Sequence, residues 1–176
     1  MITIKLTRVL LVLIAVATIV SFFLPYFVFD DYGKAMIELG ADIKPYESVN
    51  MTGKDMSNLS LFTYSRLYFP GGKEILGSSG EGIFYGILYC LVPFFGLLVL
   101  IFGLTGKGIP SLIFSILLAG DAYLIHLDFI MRGVISNNNL TTGIGYYLIY
   151  ICAALMFIVS ICMIVSKHKL KKRQTA

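Results

Sequence analysis

The sequence predicts an all-α integral membrane protein, a bundle of four transmembrane helices with a long loop between the first and second helices. Of its 176 residues, 57% are hydrophobic and only 14% are charged, whereas soluble domains average about 45–50% apolar and about 25% charged residues. Four apolar segments reach the roughly 20 residues that a helix needs to cross a bilayer. These are residues 9–29, 83–104, 109–131 and 144–165.

The first apolar segment is expected to stay in the chain as a membrane anchor. Lys5 and Arg8 precede it, as in a secretory signal, but its small-x-small triplet, residues 15–17, lies inside the hydrophobic body and not at a cleavage position. Pro25 lies near the expected outer end. There a proline can bend or end a helix without leaving a backbone carbonyl exposed to lipid.

Residues 30–82 form a long polar segment, and their charge predicts the orientation of the chain. The segment holds eight acidic and five basic residues, whereas Lys107 and the basic tail 166–176 lie on the other side of the predicted helices. Cytoplasmic segments carry an excess of Lys and Arg. We therefore expect one membrane domain over 1–176 in the plasma membrane, with both termini in the cytoplasm and residues 30–82 as a small outer cap.

The cap is too rich in aromatic residues to be a mobile linker, and we expect short folded elements in it. Glycines 71 and 72 and the segment 77–80 are expected to form a hinge into the second membrane helix. The expected elements are a helix over 32–39 ended by Gly40, a turn over 50–53, and β-structure over 59–69, where β-formers partly alternate with polar residues.

The second helix contains Pro93 near its midpoint, which predicts a kink. Proline has no N–H, so the carbonyl of Tyr89, four residues earlier, loses its usual donor and needs a new partner in lipid. Gly82 and Gly86 give one GxxxG spacing at the outer end. This spacing is typical of close helix packing in membranes.

Residues 105–108, TGKG, are expected to form a tight inner turn before Pro110 starts the third helix. A phosphate-binding loop needs a preceding strand and a Ser or Thr after its Gly-Lys pair. Here an apolar helix precedes, and Gly108 follows Lys107. The phosphate-loop interpretation is therefore excluded.

Four ionisable residues in and just after the third helix form the candidate site: Asp121, His126, Asp128 and Arg132. Such groups are costly in hydrocarbon and usually face a bundle interior or a water-filled cavity. With a rise of about 1.5 Å per residue, Asp121 should lie near the bilayer midplane and Asp128 about 10 Å nearer the outside, on nearly the same helix stripe. Arg132 should pair with Asp128 at the interface, where water reaches both. His126 lies about 140° around the helix from Asp121.

Two interpretations of Asp121 stay open at this point. In the first, Asp121 is neutral and structural, which agrees with the use of intramembrane polar residues as helix glue. Its candidate hydrogen-bond partners are Thr18, Ser21 and the carbonyl of Tyr89. In the second, Asp121 is a proton or cation site at the base of an outward-open cavity lined by Asp128, His126 and Tyr150.

Sequence motifs for enzymatic chemistry are absent. The chain has no HExxH, no GxSxG, no paired His at metal spacing and no nucleotide fingerprint. Cys90, Cys152 and Cys162 all lie in predicted membrane helices, where a small apolar packing role is expected. We therefore expect no catalytic residue, no metal and no cofactor.

The function expected from these observations is that of a non-enzymatic accessory, assembly or sensing component that binds another membrane protein or a second copy of itself. The alternative is a small proton- or cation-coupled transporter, or a channel-forming oligomer, that uses Asp121. Besides the bilayer itself, the basic tail is expected to contact anionic lipid and not nucleic acid.

The layout of four spans, a long first outer loop and cytoplasmic termini resembles claudin-like tetraspan proteins at the level of topology. The loop lacks the tryptophans and the paired cysteines of that family. The sequence is therefore assigned to no family.

Overall fold

A computed structural model of the chain describes residues 2–135 and 139–175, with side chains described for 4–135 and 139–170. The protein is mostly helical. In chain order the described elements are α1 (Ile2–Ser21), β1 (Pro25–Phe29), α2 (Asp31–Leu39), α3 (Gly53–Met56), β2 (Leu59–Ser60), α4 (Leu61–Leu76), α5 (Ser79–Thr105), α6 (Gly108–Met131), β3 (Leu140–Thr142) and α7 (Ile144–Thr175). Helices α1, α5, α6 and α7 are long and apolar enough to cross a membrane. The prediction of four such helices is thereby confirmed.

The first membrane helix ends eight residues earlier than predicted. Helix α1 stops at Ser21, and residues 25–29 form strand β1 instead of the last helical turns. Pro25 has no N–H to continue a helix, and the four residues after it are aromatic or β-branched, which favours strand backbone. Helix α7 in turn runs past the predicted end at 165, to Thr175.

The contacts of the chain divide it into two compact units. Unit 1 consists of residues 1–20, 92–122 and 148–176, and it contains portions of all four long helices. Glycines bring these helices close: Gly96 lies against Ile19, and Gly103 lies against Leu11. Fully buried apolar side chains from each of the four helices form the core of this unit: Leu11, Val99, Leu118 and Met156.

Unit 2 consists of residues 21–91 and 123–147, and it contains a three-stranded antiparallel sheet. Strand β1 is central, with β2 on one side and β3 on the other. Pro25 lies opposite Ser60, and Phe27 lies opposite Thr142. The sheet therefore joins three stretches that are far apart in the sequence.

The predicted short helix of the cap is confirmed. Helix α2 begins after Asp30, whose side chain accepts a 2.7 Å hydrogen bond from the N–H of Gly33, and it ends at Gly40. This is the side-chain capping that a helix start favours. The turn predicted at 50–53 is wrong in its bounds. The turn lies at residues 47–48, and Gly53 is already the first residue of the short helix α3, for which Thr52 is the N-cap.

The prediction of β-structure over 59–69 is wrong beyond Ser60. Residues 61–76 form helix α4, which starts where the Ser60 side chain accepts a 3.1 Å hydrogen bond from the N–H of Thr63. Tyr64 and Tyr68, four residues apart, are both buried. Helical spacing of the buried residues, and not strand alternation, therefore decides this segment.

The predicted hinge is wrong in its first part, because glycines 71 and 72 lie inside α4 and do not form a flexible connection. The chain turns at Gly77, which has a φ of 77°, and α5 begins at Ser79. A Cβ on Gly72 would lie 2.5 Å from the Cα of Gly82, so α4 and α5 touch backbone to backbone here. Gly86 likewise lies against the ring of Phe69. Both glycines of the predicted GxxxG spacing therefore serve close helix packing.

The inner connection is the tight turn that the sequence predicts. Gly106 has a φ of 67°, and the N–H of Lys107 donates a 2.8 Å hydrogen bond to the carbonyl of Phe102. Helix α5 continues through Pro93 without interruption. The kink expected at Pro93 stays a prediction.

Candidate functional site

Two buried residues, Tyr89 and Asp128, form a polar network in unit 2 with the half-buried Arg132. The Tyr89 phenol donates a 2.8 Å hydrogen bond to Asp128 Oδ2, and Arg132 Nε donates a 2.7 Å bond to Asp128 Oδ1. Arg132 Nη2 also contacts Asp128 Oδ2 and donates a 2.8 Å bond to the Tyr89 oxygen. Each pair of these three groups is therefore bonded, and the carboxylate is satisfied on both oxygens.

Aromatic rings enclose the cationic end of this network. The Arg132 guanidinium carbon lies 4.1 Å from the ring centroid of Tyr85 and 4.7 Å from that of Tyr68. A cation over the face of a tyrosine is attracted by the ring electrons. The ring of Phe129 stacks on Tyr89 at 5.7 Å between centroids. The network therefore lies between aromatic side chains of α4, α5 and α6.

The pKa values of the groups outside the membrane helices agree with this enclosure. Burial alone would lower the pKa of Arg132, but its hydrogen bond to Asp128 and the neighbouring tyrosines raise that pKa above its ordinary value. Burial raises the pKa of Tyr68, although Arg132 beside it acts in the opposite direction. The tyrosine is therefore a neutral neighbour of a permanent cation.

The structure confirms the predicted pairing of Asp128 with Arg132 but corrects its environment. Asp128 is only 2% exposed, so it is not the water-accessible interface residue that the sequence predicts. Sequence reasoning missed the phenol of Tyr89 and the two flanking rings. The signal was the repeated spacing of four residues in Tyr64 and Tyr68, and again in Tyr85 and Tyr89, which places each pair on one helix face.

Asp121 is the second buried acid of α6, and it belongs to unit 1. It is 4% exposed, and in the part of the chain that the structure describes neither of its carboxylate oxygens has a hydrogen-bond partner. The predicted hydrogen bond from Thr18 is not formed, since the Thr18 hydroxyl donates to the Ile14 carbonyl at 3.0 Å. Since neither oxygen is bonded to a described residue, none of the three predicted hydrogen bonds, with Thr18, Ser21 or the carbonyl of Tyr89, is formed.

The remaining predicted site residues have separate surroundings. In unit 2, His126 is half-buried, and its Nδ1 lies 3.4 Å from the hydroxyl of Tyr146. In unit 1, the Tyr150 hydroxyl donates a 3.0 Å bond to the carbonyl of Ala122, the residue after Asp121. Ser21 is fully buried at the end of α1.

Metal chemistry gains no support from the geometry. Within residues 2–135 and 139–175, no group of three or more His, Cys, Asp and Glu side chains is placed to hold a metal ion. The three cysteines are free thiols on membrane helices. Two acids of α6 differ in their surroundings. Asp128 is paired with Arg132, whereas neither oxygen of Asp121 has a hydrogen-bond partner among the described residues.

Comparison with known proteins gives no family for this architecture. No protein-family model, no curated protein sequence and no solved structure matches the chain.

Proposed function

We propose that this protein is a non-enzymatic component of the plasma membrane that binds another membrane protein through its outer cap. In this arrangement the four long helices form the membrane bundle, both termini lie in the cytoplasm, and residues 30–82 lie outside. The acidic balance of the cap and the basic residues at the other helix ends support this orientation.

The observation that carries the proposal is an exposed apolar surface on α2. Tyr32, Met36 and Leu39, at helical spacing, are 64%, 53% and 83% exposed. Ile43, just after the helix, is 63% exposed. Tyr32, Met36 and Ile43 line a cleft of about 510 Å³, with Met56 also in its lining. Contiguous apolar surface of this kind is typical of interaction sites.

The charge around this surface favours a protein partner over a lipid surface. Helices that lie on membranes are rich in Lys and Arg on their polar face. The polar face of α2 instead carries Asp31 and Glu38 with one lysine, Lys34. An apolar segment from the outer part of another membrane protein is therefore the occupant that we propose for the cleft.

Photo-crosslinking compares the two faces of α2 directly. A benzoylphenylalanine at Met36 should crosslink one defined partner in intact cells, whereas the same group at Lys34, on the other face of the helix, should not. Met36→Glu together with Leu39→Glu should abolish co-purification of that partner in mild detergent. Recovery of the protein as a lone species, with no crosslink specific to position 36, would overturn the proposal.

A second candidate function is proton- or cation-coupled transport. The burial of Asp121, with no hydrogen-bond partner in the described part of the chain, favours it. A carboxyl in such a site is costly, and intramembrane acids commonly mark ion pathways. Asp121→Asn keeps the shape of a neutral carboxyl but cannot ionise. Coupled transport therefore predicts normal abundance of this variant in membranes with loss of proton or solute flux in liposomes.

The Asp121→Asn variant also distinguishes the partner-binding function from the transport function. If Asp121→Asn retains partner capture and the purified parent protein moves no solute by itself, the accessory role stands and transport is excluded. Flux by the purified parent protein that Asp121→Asn abolishes would reverse this conclusion.

A further inference from the structure

A cavity of about 430 Å³ lies in unit 1, between the turn that starts α6 and the end of the apolar part of α7. Its lining combines cationic and apolar side chains. Lys107, Lys167 and His168 supply the polar part, and Ile109, Pro110 and Ile164 supply the apolar part. A ligand that matches this lining has a negatively charged end and a hydrocarbon end.

The two lysines are available for such a ligand. Both are exposed, and among the side chains that the structure describes neither forms an ion pair. They come from distant parts of the sequence and line the same cavity, because Gly108 has no side chain to hold the two helices apart. A Cβ there would lie 2.7 Å from Ile164 Cγ1, so α6 starts directly on the surface of α7.

Two further positive features lie at the same turn. The first N–H groups of a helix have no intrahelical acceptor, and α6, with 24 residues, begins at Gly108. The Arg8 guanidinium lies over Gly106, and in the described part of the chain its buried Nε has no hydrogen-bond partner. Positive charge from α1, α6 and α7 therefore converges on this turn.

We propose that this cavity binds the phosphate group of an anionic phospholipid, with an acyl chain along the adjoining apolar surface. Ile109 is 64% exposed and Leu104 is 62% exposed, so apolar side chains that can face lipid adjoin the cationic lining. Basic cavities between membrane helices are suited to anionic head groups. The site includes Lys167 and His168 from the start of the basic tail 166–176, together with Lys107 from the turn before α6, but it does not need the basic residues beyond 170. It depends on the membrane location proposed above but on no protein partner.

The test measures lipid selectivity of the full-length protein in vesicles of phosphatidylcholine and phosphatidylglycerol. The association constant of a spin-labelled phosphatidylglycerol is compared with that of the matching phosphatidylcholine probe. Lys107→Gln and Lys167→Gln should lower the selectivity by about fivefold for each lysine. Lys107→Arg with Lys167→Arg should restore it, because the charge and the hydrogen-bond donors are kept.

A truncation after residue 170 separates this cavity from the tail, since it removes Lys171, Lys172 and Arg173 but neither cavity lysine. Retained selectivity after the truncation supports the cavity. Selectivity that is lost on truncation but unchanged in the double glutamine variant overturns the proposal. Displacement of the lipid probe by inorganic phosphate alone also overturns it, in favour of a soluble anion. Crosslinking of a protein partner at Met36 is a separate measurement. Failure of the lipid-site proposal can therefore be told apart from failure of the partner-binding proposal.

Discussion

Tyr89 and Asp128 lie 39 positions apart in the sequence, yet the phenol of one donates a 2.8 Å hydrogen bond to the carboxylate of the other inside unit 2. Arg132 bonds both groups. Desolvation of two charges is expensive, and additional hydrogen bonds offset part of that cost. Among the described residues Arg132 Nη1 has no such bond, whereas Nη2 donates one to the Tyr89 oxygen. The tyrosine hydroxyl is therefore part of what allows this pair to be buried.

Loss of the carboxylate from this network should be strongly destabilising. Asp128→Ala leaves the half-buried Arg132 side chain, which is 19% exposed, without its counter-ion. The free energy of unfolding should fall by about 3 kcal/mol, the lower end of the cost for a fully buried pair. Tyr89→Phe removes one hydrogen bond to a charged group and should cost about 1.5–3 kcal/mol. Unfolding of the purified protein in mixed micelles measures both.

The control for these variants is Asp31→Ala, which breaks the ion pair with Lys34 at 3.4 Å on the exposed face of α2. No measurable change is expected there, because solvent screens exposed pairs. Equal stability losses for Asp31→Ala and Asp128→Ala would contradict the buried network.

Asp121→Ala, unlike Asp128→Ala, should not lower the free energy of unfolding. Asp121 is buried with both oxygens unpartnered among the described residues, so its removal should leave stability unchanged or raise it by about 1–3 kcal/mol. The same unfolding measurement decides this. A large loss of stability would reveal a stabilising partner of Asp121 and would end its candidacy as an unpaired ion site.

The contact between α4 and α5 gives a matched pair of glycine substitutions. A Cβ on Gly82 would lie 2.6 Å from the carbonyl oxygen of Tyr68, so Gly82→Ala must push two backbones apart. We expect a loss of about 1–3 kcal/mol, as for other overpacked sites. For Gly80→Ala the nearest atom is Ser78 Oγ at 3.7 Å, and no loss is expected. Equal thermal stability of the two variants would refute the close helix contact.

The hydrogen bonds of Glu74 should make the local stability of the cap depend on pH. Hydrogen bonds from the side chain and then the N–H of Ser48, at 2.5 and 3.1 Å, lower the pKa of this carboxyl below its ordinary value of 4.5. A lowered pKa in the folded state means that the stabilisation is complete above pH 4.5 and is lost as the pH falls through the lower, folded value.

Hydrogen-exchange protection factors of Glu47 and Ser48 measure this effect. Both N–H groups donate to Glu74, so their protection should decrease below pH 4.5. In Glu74→Gln the protection should no longer vary with pH in this range. Protection that varies equally in both proteins would assign the effect to other groups.

Reporter fusions test the proposed orientation. A fusion at Lys54, in the cap, should be external, and fusions at Lys107 and at the C-terminus should be cytoplasmic, because the basic residues lie at that end of the helices. An external reporter at Lys107 would contradict the orientation and would move the proposed lipid site to the other leaflet.

Local chemistry accounts for the features that could be predicted from the sequence. The four long helices are predictable because the length of an apolar run is a property of each segment alone. Helix α2 is predictable because its own ends stop it: Asp30 caps its start and Gly40 follows its last residue. The pairing of Asp128 with Arg132 is also local, because residues four apart in a helix face each other.

By itself, then, the sequence determined the four apolar helices, the short capped helix and the ion pair within one helical turn. Tertiary structure decided the rest. Residues 61–69 contain β-formers but become helical because Tyr64 and Tyr68 bury one helical face. Asp128 becomes dry because Tyr89 meets it from another helix, whereas Asp121 on nearly the same stripe gains no hydrogen bond from any described residue. Burial and pairing between distant segments depend on which surfaces meet in three dimensions, and no local pattern of residues encodes that.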